Sequence, residues 1–177
     1  MRVVAGELRG RRIEAPPGAG TRPTTDKVRE AVFNALVSRD VIRDARVADL
    51  FAGTGALGIE ALSRGADHCT FVERDRNVVR ILRANLEQLG LTARSRVLAA
   101  DALSQAAAID ADIALADPPY DFDAWPLLLA AVRAPLLVAE AGRSLESLDG
   151  LAQSGWEATR SKRYGRTWIT FFERMDR

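Results

Sequence analysis

The chain has 177 residues, 47% of them apolar and 28% charged, with a net charge of +1, one cysteine and one histidine. That is the length of one globular domain with a full core, and it leaves no room for an internal disulfide, for most histidine-based metal sites or for Ser/His/Asp catalysis. The longest apolar run, residues 126–139, is broken by Arg133 and Pro135, and no apolar segment of signal-peptide length follows Arg2. No membrane span and a reducing, cytoplasmic setting are therefore expected.

In chain order, residues 2–6 and 10–14 read as the two arms of a β-hairpin turned between Gly6 and Gly10. Residues 15–23, rich in Pro and Gly, read as a linker. Thr24 is a good N-cap for a helix reaching to about residue 39. Asp26 sits in its first turn, and Val28, Val32, Phe33 and Leu36 share one face. From Arg46 strands and helices alternate: strand 47–51, helix 57–64, strand 70–72, helix 76–89 closed by Gly90, strand 96–100, a short helix, strand 113–116, helix 124–132 and strand 136–139. Two further strands, 156–162 and 167–173, make a hairpin turned at Gly165. Seven strands alternating in this way predict an α/β fold, a mostly parallel sheet with helices on both faces. Its ligands bind beyond the carboxyl ends of the strands. The predicted division is residues 1–23 as an amino-terminal hairpin extension with its linker, and 24–177 as the catalytic domain.

Charge is unevenly spread. Residues 1–46 carry a net +4, residues 156–177 a net +3 and the middle a net −6. Basic ends of this kind track a phosphate backbone, and acids in the middle hold a ligand's hydroxyls and amines. Arginine is also simply the preferred cation here, since Lys27 and Lys162 are the only lysines. Cys69 and His68, at the start of a strand, read as structural.

Two loops carry the chemistry. After the first strand of the alternating series, Gly53, Gly55 and Gly58 spell G-x-G-x-x-G, with Glu73 twenty residues past Gly53. An acid at that spacing bonds ribose hydroxyls. Alone this fits a dinucleotide-binding dehydrogenase. Asp49, at the strand end, favours S-adenosylmethionine, because a carboxylate there meets an ammonium and repels a pyrophosphate. Asp101, closing the next strand but one, is placed to accept from an adenine amine. The second loop is Asp117-Pro-Pro-Tyr120. Its prolines fix the backbone and remove donors, leaving the Asp117 carboxylate and the Pro118 carbonyl as acceptors for a planar exocyclic amine. Tyr120 offers a face on which a ring can stack. Asp-Pro-Pro is otherwise a common rigid turn. A base inside a helix cannot reach such a loop unless it is flipped out or single-stranded.

These stretches resemble the bacterial RsmD-type methyltransferases. The matching segments are residues 22–30 (R-P-T-T-D-K-V-R-E), 49–62 (D-L-F-A-G-T-G-A-L-G-I-E-A-L), 72–74 (V-E-R) and 117–120 (D-P-P-Y). The resemblance implies a Rossmann-like class I S-adenosylmethionine-dependent fold. It implies methyl transfer to the N2 amine of a guanine in 16S ribosomal RNA (guanine 966 in the family). The partner implied is that RNA, in the small subunit or an assembly intermediate, with a monomeric enzyme and no metal. Asp117, Pro118, Pro119 and Tyr120 become the catalytic candidates. The cofactor candidates are Asp49, Phe51, Gly53, Thr54, Gly55, Glu73, Arg74, Asp101 and Ala102, with Arg22 and Thr24 shaping the cleft. The RNA candidates are Arg9, Arg11, Arg12 and Arg29, with Arg163 and Arg166 of the carboxyl hairpin. Ala5-Gly6 stands where the family suggests Gly-Gly, and the tail after Tyr120 is harder to match. An adenine-N6 DNA methyltransferase, a protein-glutamine methyltransferase, a dehydrogenase and a catalytically dead RNA-binding module remain as alternatives.

Overall fold

The structure, a computed structural model, describes residues 1–16 and 26–175. The candidates Arg22 and Thr24, with most of the predicted linker, lie outside the described residues. The elements are α1 (Asp26–Ser38), β1 (Arg46–Asp49), α2 (Ala56–Ser63), β2 (His68–Glu73), α3 (Arg76–Gln88), β3 (Ser95–Ala99), α4 (Ala102–Ala106), β4 (Ile113–Ala116), α5 (Trp125–Ala131), β5 (Leu136–Ala141), β6 (Trp156–Tyr164) and β7 (Thr167–Arg174). All seven expected strands form, in the spatial order β3-β2-β1-β4-β5-β7-β6. The first five run parallel, whereas β7 lies antiparallel to β5 and β6 antiparallel to β7. The order reverses between β1 and β4, which is where a sheet of this type opens a crevice for ligand.

Local chemistry sets the boundaries. Asp75 caps α3 by accepting from the amides of Asn77 at 2.7 Å and Val78 at 3.3 Å. Gly90, at φ 72°, takes the left-handed turn just past its end. Val79, Leu82 and Leu86 bury one side of this helix, each such side chain contributing about 2 kcal/mol. The four residues of β4 are all buried, as expected of a strand covered on both faces.

Two apolar layers result. One face of the sheet is covered by α1, α2 and α3, with Phe33, Leu36, Ile59, Leu62 and Leu82 meeting Val47, Cys69, Phe71, Leu115, Leu136 and Val138. The other is covered by α4 and α5, with Trp125, Leu128 and Leu129 on Ala114, Ala116, Leu137 and Ala139.

The amino-terminal arms do pair, but through a single bridge between Arg2 and Arg12 rather than as full strands. Val3 and Ile13 are buried in the three-helix layer, so the arms are part of the core. Buried side chains stitch them down. Glu60, fully buried on α2, accepts from the amides of Val4 at 2.8 Å and Ala5 at 3.0 Å. The Ser63 hydroxyl donates to the Ala5 carbonyl at 2.6 Å and accepts from the Leu8 amide at 3.0 Å.

Candidate active site

The pleat brings one carboxylate per strand to the same end and face of the sheet. Val47, Phe71, Leu115 and Val138 project into the three-helix layer. Two residues further along their strands come Asp49, Glu73, Asp117 and Glu140, on β1, β2, directly after β4, and on β5. Asp49 and Glu73 flank the glycine loop, and Asp117 and Glu140 flank the Pro-Pro loop.

On the cofactor side the loop amides are already engaged. The Gly53 amide donates to Glu73 Oε2 at 3.0 Å, and the Asp75 amide donates to Oε1 of the same carboxylate at 2.8 Å. The Gly58 amide donates to Asp49 Oδ2 at 2.9 Å, and the Gly55 amide to the Ala52 carbonyl at 2.8 Å. These are the donors with which a glycine-rich loop holds a pyrophosphate. Here all three are spent, two of them on carboxylates, so the loop disfavours a dinucleotide.

The glycines divide by role. A Cβ on Gly58 would stand 2.2 Å from the Phe71 ring, and one on Gly55 2.5 Å from Leu82, so both serve close packing of helix on strand. A Cβ on Gly53, at φ 53°, would meet nothing within 4 Å, so only this glycine faces open space where a ligand can approach.

Asp49 is 1% exposed, and its Oδ1 has no hydrogen-bond partner. Burial, and secondarily the nearby Glu73 charge, push its carboxyl up to about 7 against the pull of the Gly58 amide. An orphaned buried carboxylate oxygen behind the loop suits a ligand bearing an ammonium, as S-adenosylmethionine does. Asp101 is exposed and caps α4 by accepting from the Ser104 amide at 3.1 Å, with Ala102 buried beside it. Arg74 is exposed. Phe51 stacks edge-on to Phe122 at 5.2 Å, and Phe122 to Trp125 at 5.1 Å, so an aromatic row links the end of β1 to the Pro-Pro loop.

On the amine side Asp117 is half-buried, Pro118 buried and Pro119 exposed. One expectation is corrected here. The Pro119 carbonyl is not left open, because it accepts from the Phe122 amide at 2.9 Å and closes the loop as a turn. Tyr120 is 54% exposed, yet its ring is held in place. Its hydroxyl shares a hydrogen bond of 3.1 Å with Thr167 Oγ1, and its edge lies so near Gly142 that a Cβ there would stand 2.8 Å from Cδ1. A cavity of about 230 Å³ lies here, lined by Pro119, Tyr120, Phe122, Trp125, Glu140 and Arg143 among others.

Of the RNA candidates, Arg9, Arg11 and Arg12 are exposed on the amino-terminal arms, with Arg11 donating to the Gln88 carbonyl at 3.2 Å. Arg163 and Arg166 are exposed at the β6–β7 turn, next in sequence to the Thr167 that holds Tyr120. Arg29 is different and leaves the RNA set. It is 3% exposed, its Nε lies 3.4 Å from Glu60 Oε2, and its Nη2 meets Asp26 and the Arg2 carbonyl. A guanidinium sealed into a buried ion pair cannot reach a phosphate backbone, and its work is to fasten α1 and the amino-terminal arms to α2.

Sequence reasoning missed Glu140, Gly142 and Thr167, whose spacing carries no motif. It also missed Asn85. This buried side chain accepts from the Glu14 amide and donates to the carbonyls of Glu14 and Thr54, clipping the amino-terminal arms to the cofactor loop. A buried Asn in an otherwise apolar helix face was the available signal. Cys69 is buried with its thiol pushed up by burial, as its structural reading requires.

Comparison with known proteins bears on the same residues. The family described as "Conserved hypothetical protein 95" matches residues 1–173. The Bacillus subtilis protein named "Putative rRNA methyltransferase YlbH" is 37% identical over 98% of this chain and 99% of its own length. The Escherichia coli "Ribosomal RNA small subunit methyltransferase D" is 44% identical over 68% of this chain, an alignment spanning 60% of that protein. Among solved structures, "Putative methyltransferase yhhF from Escherichia coli" superposes with a TM-score of 0.85 at 33% identity, covering 100% of this chain and 99% of the other. The sheet order and its coverings are those of the class I methyltransferase fold.

Proposed function

This chain belongs to the Conserved hypothetical protein 95 family, the RsmD family, and we propose that it transfers a methyl group from S-adenosylmethionine to the exocyclic N2 amine of a guanine in 16S ribosomal RNA. The small subunit or an assembly intermediate is the acceptor. The observation that carries this is the division of the sheet's carboxyl end into two sites joined by the aromatic row, one suited to an ammonium-bearing nucleoside and one to a planar amine. The names of the two bacterial relatives point to ribosomal RNA as the acceptor.

The cofactor supplies an electrophilic methyl on a positive sulfur. Asp49 Oδ1 receives its ammonium, Glu73 its ribose hydroxyls, and Asp101 its adenine amine. On the acceptor side, the Asp117 carboxylate and the Pro118 carbonyl accept from the two N2 hydrogens. That draws the nitrogen from planar toward tetrahedral and frees its lone pair for in-line attack. As the N–C bond forms, the nitrogen becomes positive, and Asp117 takes the surplus proton and passes it to water. Tyr120, braced by Thr167 and Gly142, stacks on the base. Most of the acceleration comes from orientation and from a carboxylate already in place beside the charge that develops. Arg163 and Arg166, beside this loop, and Arg9, Arg11 and Arg12 hold the phosphate backbone.

The test offers labelled S-adenosylmethionine with unmethylated small subunits, naked 16S RNA, duplex DNA and total protein as parallel acceptors. Label recovered as N2-methylguanine from ribosomal RNA supports the proposal. Label on adenine or protein, or on no RNA, overturns it.

A further inference from the structure

The second carboxylate of the amine site has no part in the chemistry above. Glu140 is only 6% exposed, and it lines the cavity formed with Pro119, Tyr120, Phe122 and Trp125. Strands β4 and β5 run parallel with Ala116 beside Ala139, so the residues that follow, Asp117 and Glu140, leave the sheet side by side. At the spacing of adjacent strands their Cα atoms are roughly 5 Å apart. Tyr120 bonds Thr167 on the side of β7 that sends Ile169 and Phe171 into the three-helix layer, the same face as both carboxylates.

We propose that Glu140 accepts the N1–H of the target purine while Asp117 holds its exocyclic amine, so that the pair selects guanine over adenine. This rests on the methyl-transfer reading of the site. Guanine presents N1–H and the N2 amine as neighbouring donors on one edge, and two adjacent carboxylates match them. Adenine presents an amine beside an N1 that is an acceptor. A carboxylate facing that lone pair meets no proton and repels it, and a buried acceptor left without its donor is what makes a site reject a near-isostere strongly. Glu140 is thus a specificity residue, and the amine chemistry belongs to Asp117.

The test uses small subunits reconstituted with RNA in which the target guanosine is replaced, by splinted ligation, with 2-aminopurine riboside. That base keeps the N2 amine and lacks N1–H and O6. Wild-type protein is expected to use guanosine at least about 100-fold better, as kcat/KM. Glu140→Gln, whose amide can donate to an unprotonated N1, is expected to narrow the ratio to within about tenfold, mostly through 2-aminopurine gained. A purely structural role for Glu140 lowers both substrates together and leaves the ratio unchanged, which overturns the proposal. Cofactor binding and the thermal midpoint of Glu140→Gln report whether it folds. If it does not, the wild-type comparison decides: equal use of the two bases overturns the proposal, and the 100-fold preference supports it. If wild-type protein methylates no guanosine at all, the methyl-transfer reading has failed, a different result from an unchanged ratio.

Discussion

The two halves of the site are made from the same parts, a rigid turn and two carboxylates at neighbouring strand ends, and they use them oppositely. In the cofactor half, Asp49 and Glu73 hold backbone amides of the loop itself, and two of its three glycines serve packing. The loop is shaped before any ligand arrives, and one buried oxygen, Asp49 Oδ1, is kept for it. In the amine half, Tyr120 stands half in solvent and Glu140 lines a cavity. A cofactor is always the same molecule and suits a finished cradle. An RNA base must enter and leave with a large polymer attached, and an open site with a few fixed acceptors suits that.

The difference should break first at Gly58. Gly58→Val forces side-chain atoms into Phe71 and Cys69. The expected cost is about 3 kcal/mol, read as a thermal midpoint lowered by roughly 10 °C, with cofactor binding lost as a consequence. A midpoint within 2 °C of wild type, to order of magnitude, would mean the loop is not packing-limited.

Asp49 sharpens the contrast through pH. Its folded-state pKa of about 7 lies above the ordinary 3.8. Unfolding therefore releases a proton between those values, so the stability of the ligand-free protein falls as pH rises from about 4 to about 7 and then levels. Binding of an ammonium needs the charged carboxylate, so cofactor affinity should rise about tenfold from pH 6 to pH 8. Asp49→Asn should flatten both curves in calorimetry, while an unchanged affinity profile in that variant would remove Asp49 from the cofactor.

On the amine side effects should fall on turnover and spare stability. Gly142→Ala crowds the Tyr120 ring and should lower kcat/KM about tenfold with the thermal midpoint unmoved. Tyr120→Phe loses only the bond to Thr167 and should cost about fivefold.

Much of this was legible in the sequence. The strand–helix alternation announces the parallel sheet, because period and length distinguish the two elements. The glycine and Pro-Pro loops announce where the ligands sit. Glu140 was invisible because its partnership with Asp117 depends on β4 lying beside β5, a register that no local pattern encodes. Arg29 misled because an arginine near a basic arm looks the same in sequence whether it faces solvent or pairs with Glu60. Thr167 and Gly142 matter only through the ring they brace, which lies 47 residues from Thr167 in the chain.

The most direct measurement is a split assay on Asp117→Ala, with cofactor affinity by calorimetry and single-turnover methyl transfer to unmethylated small subunits. If the two halves are separate as described, transfer falls roughly 1,000-fold while the cofactor Kd stays within about threefold of wild type. If cofactor affinity falls in step with transfer, or if transfer survives, then Asp117 is not the acceptor that activates the amine.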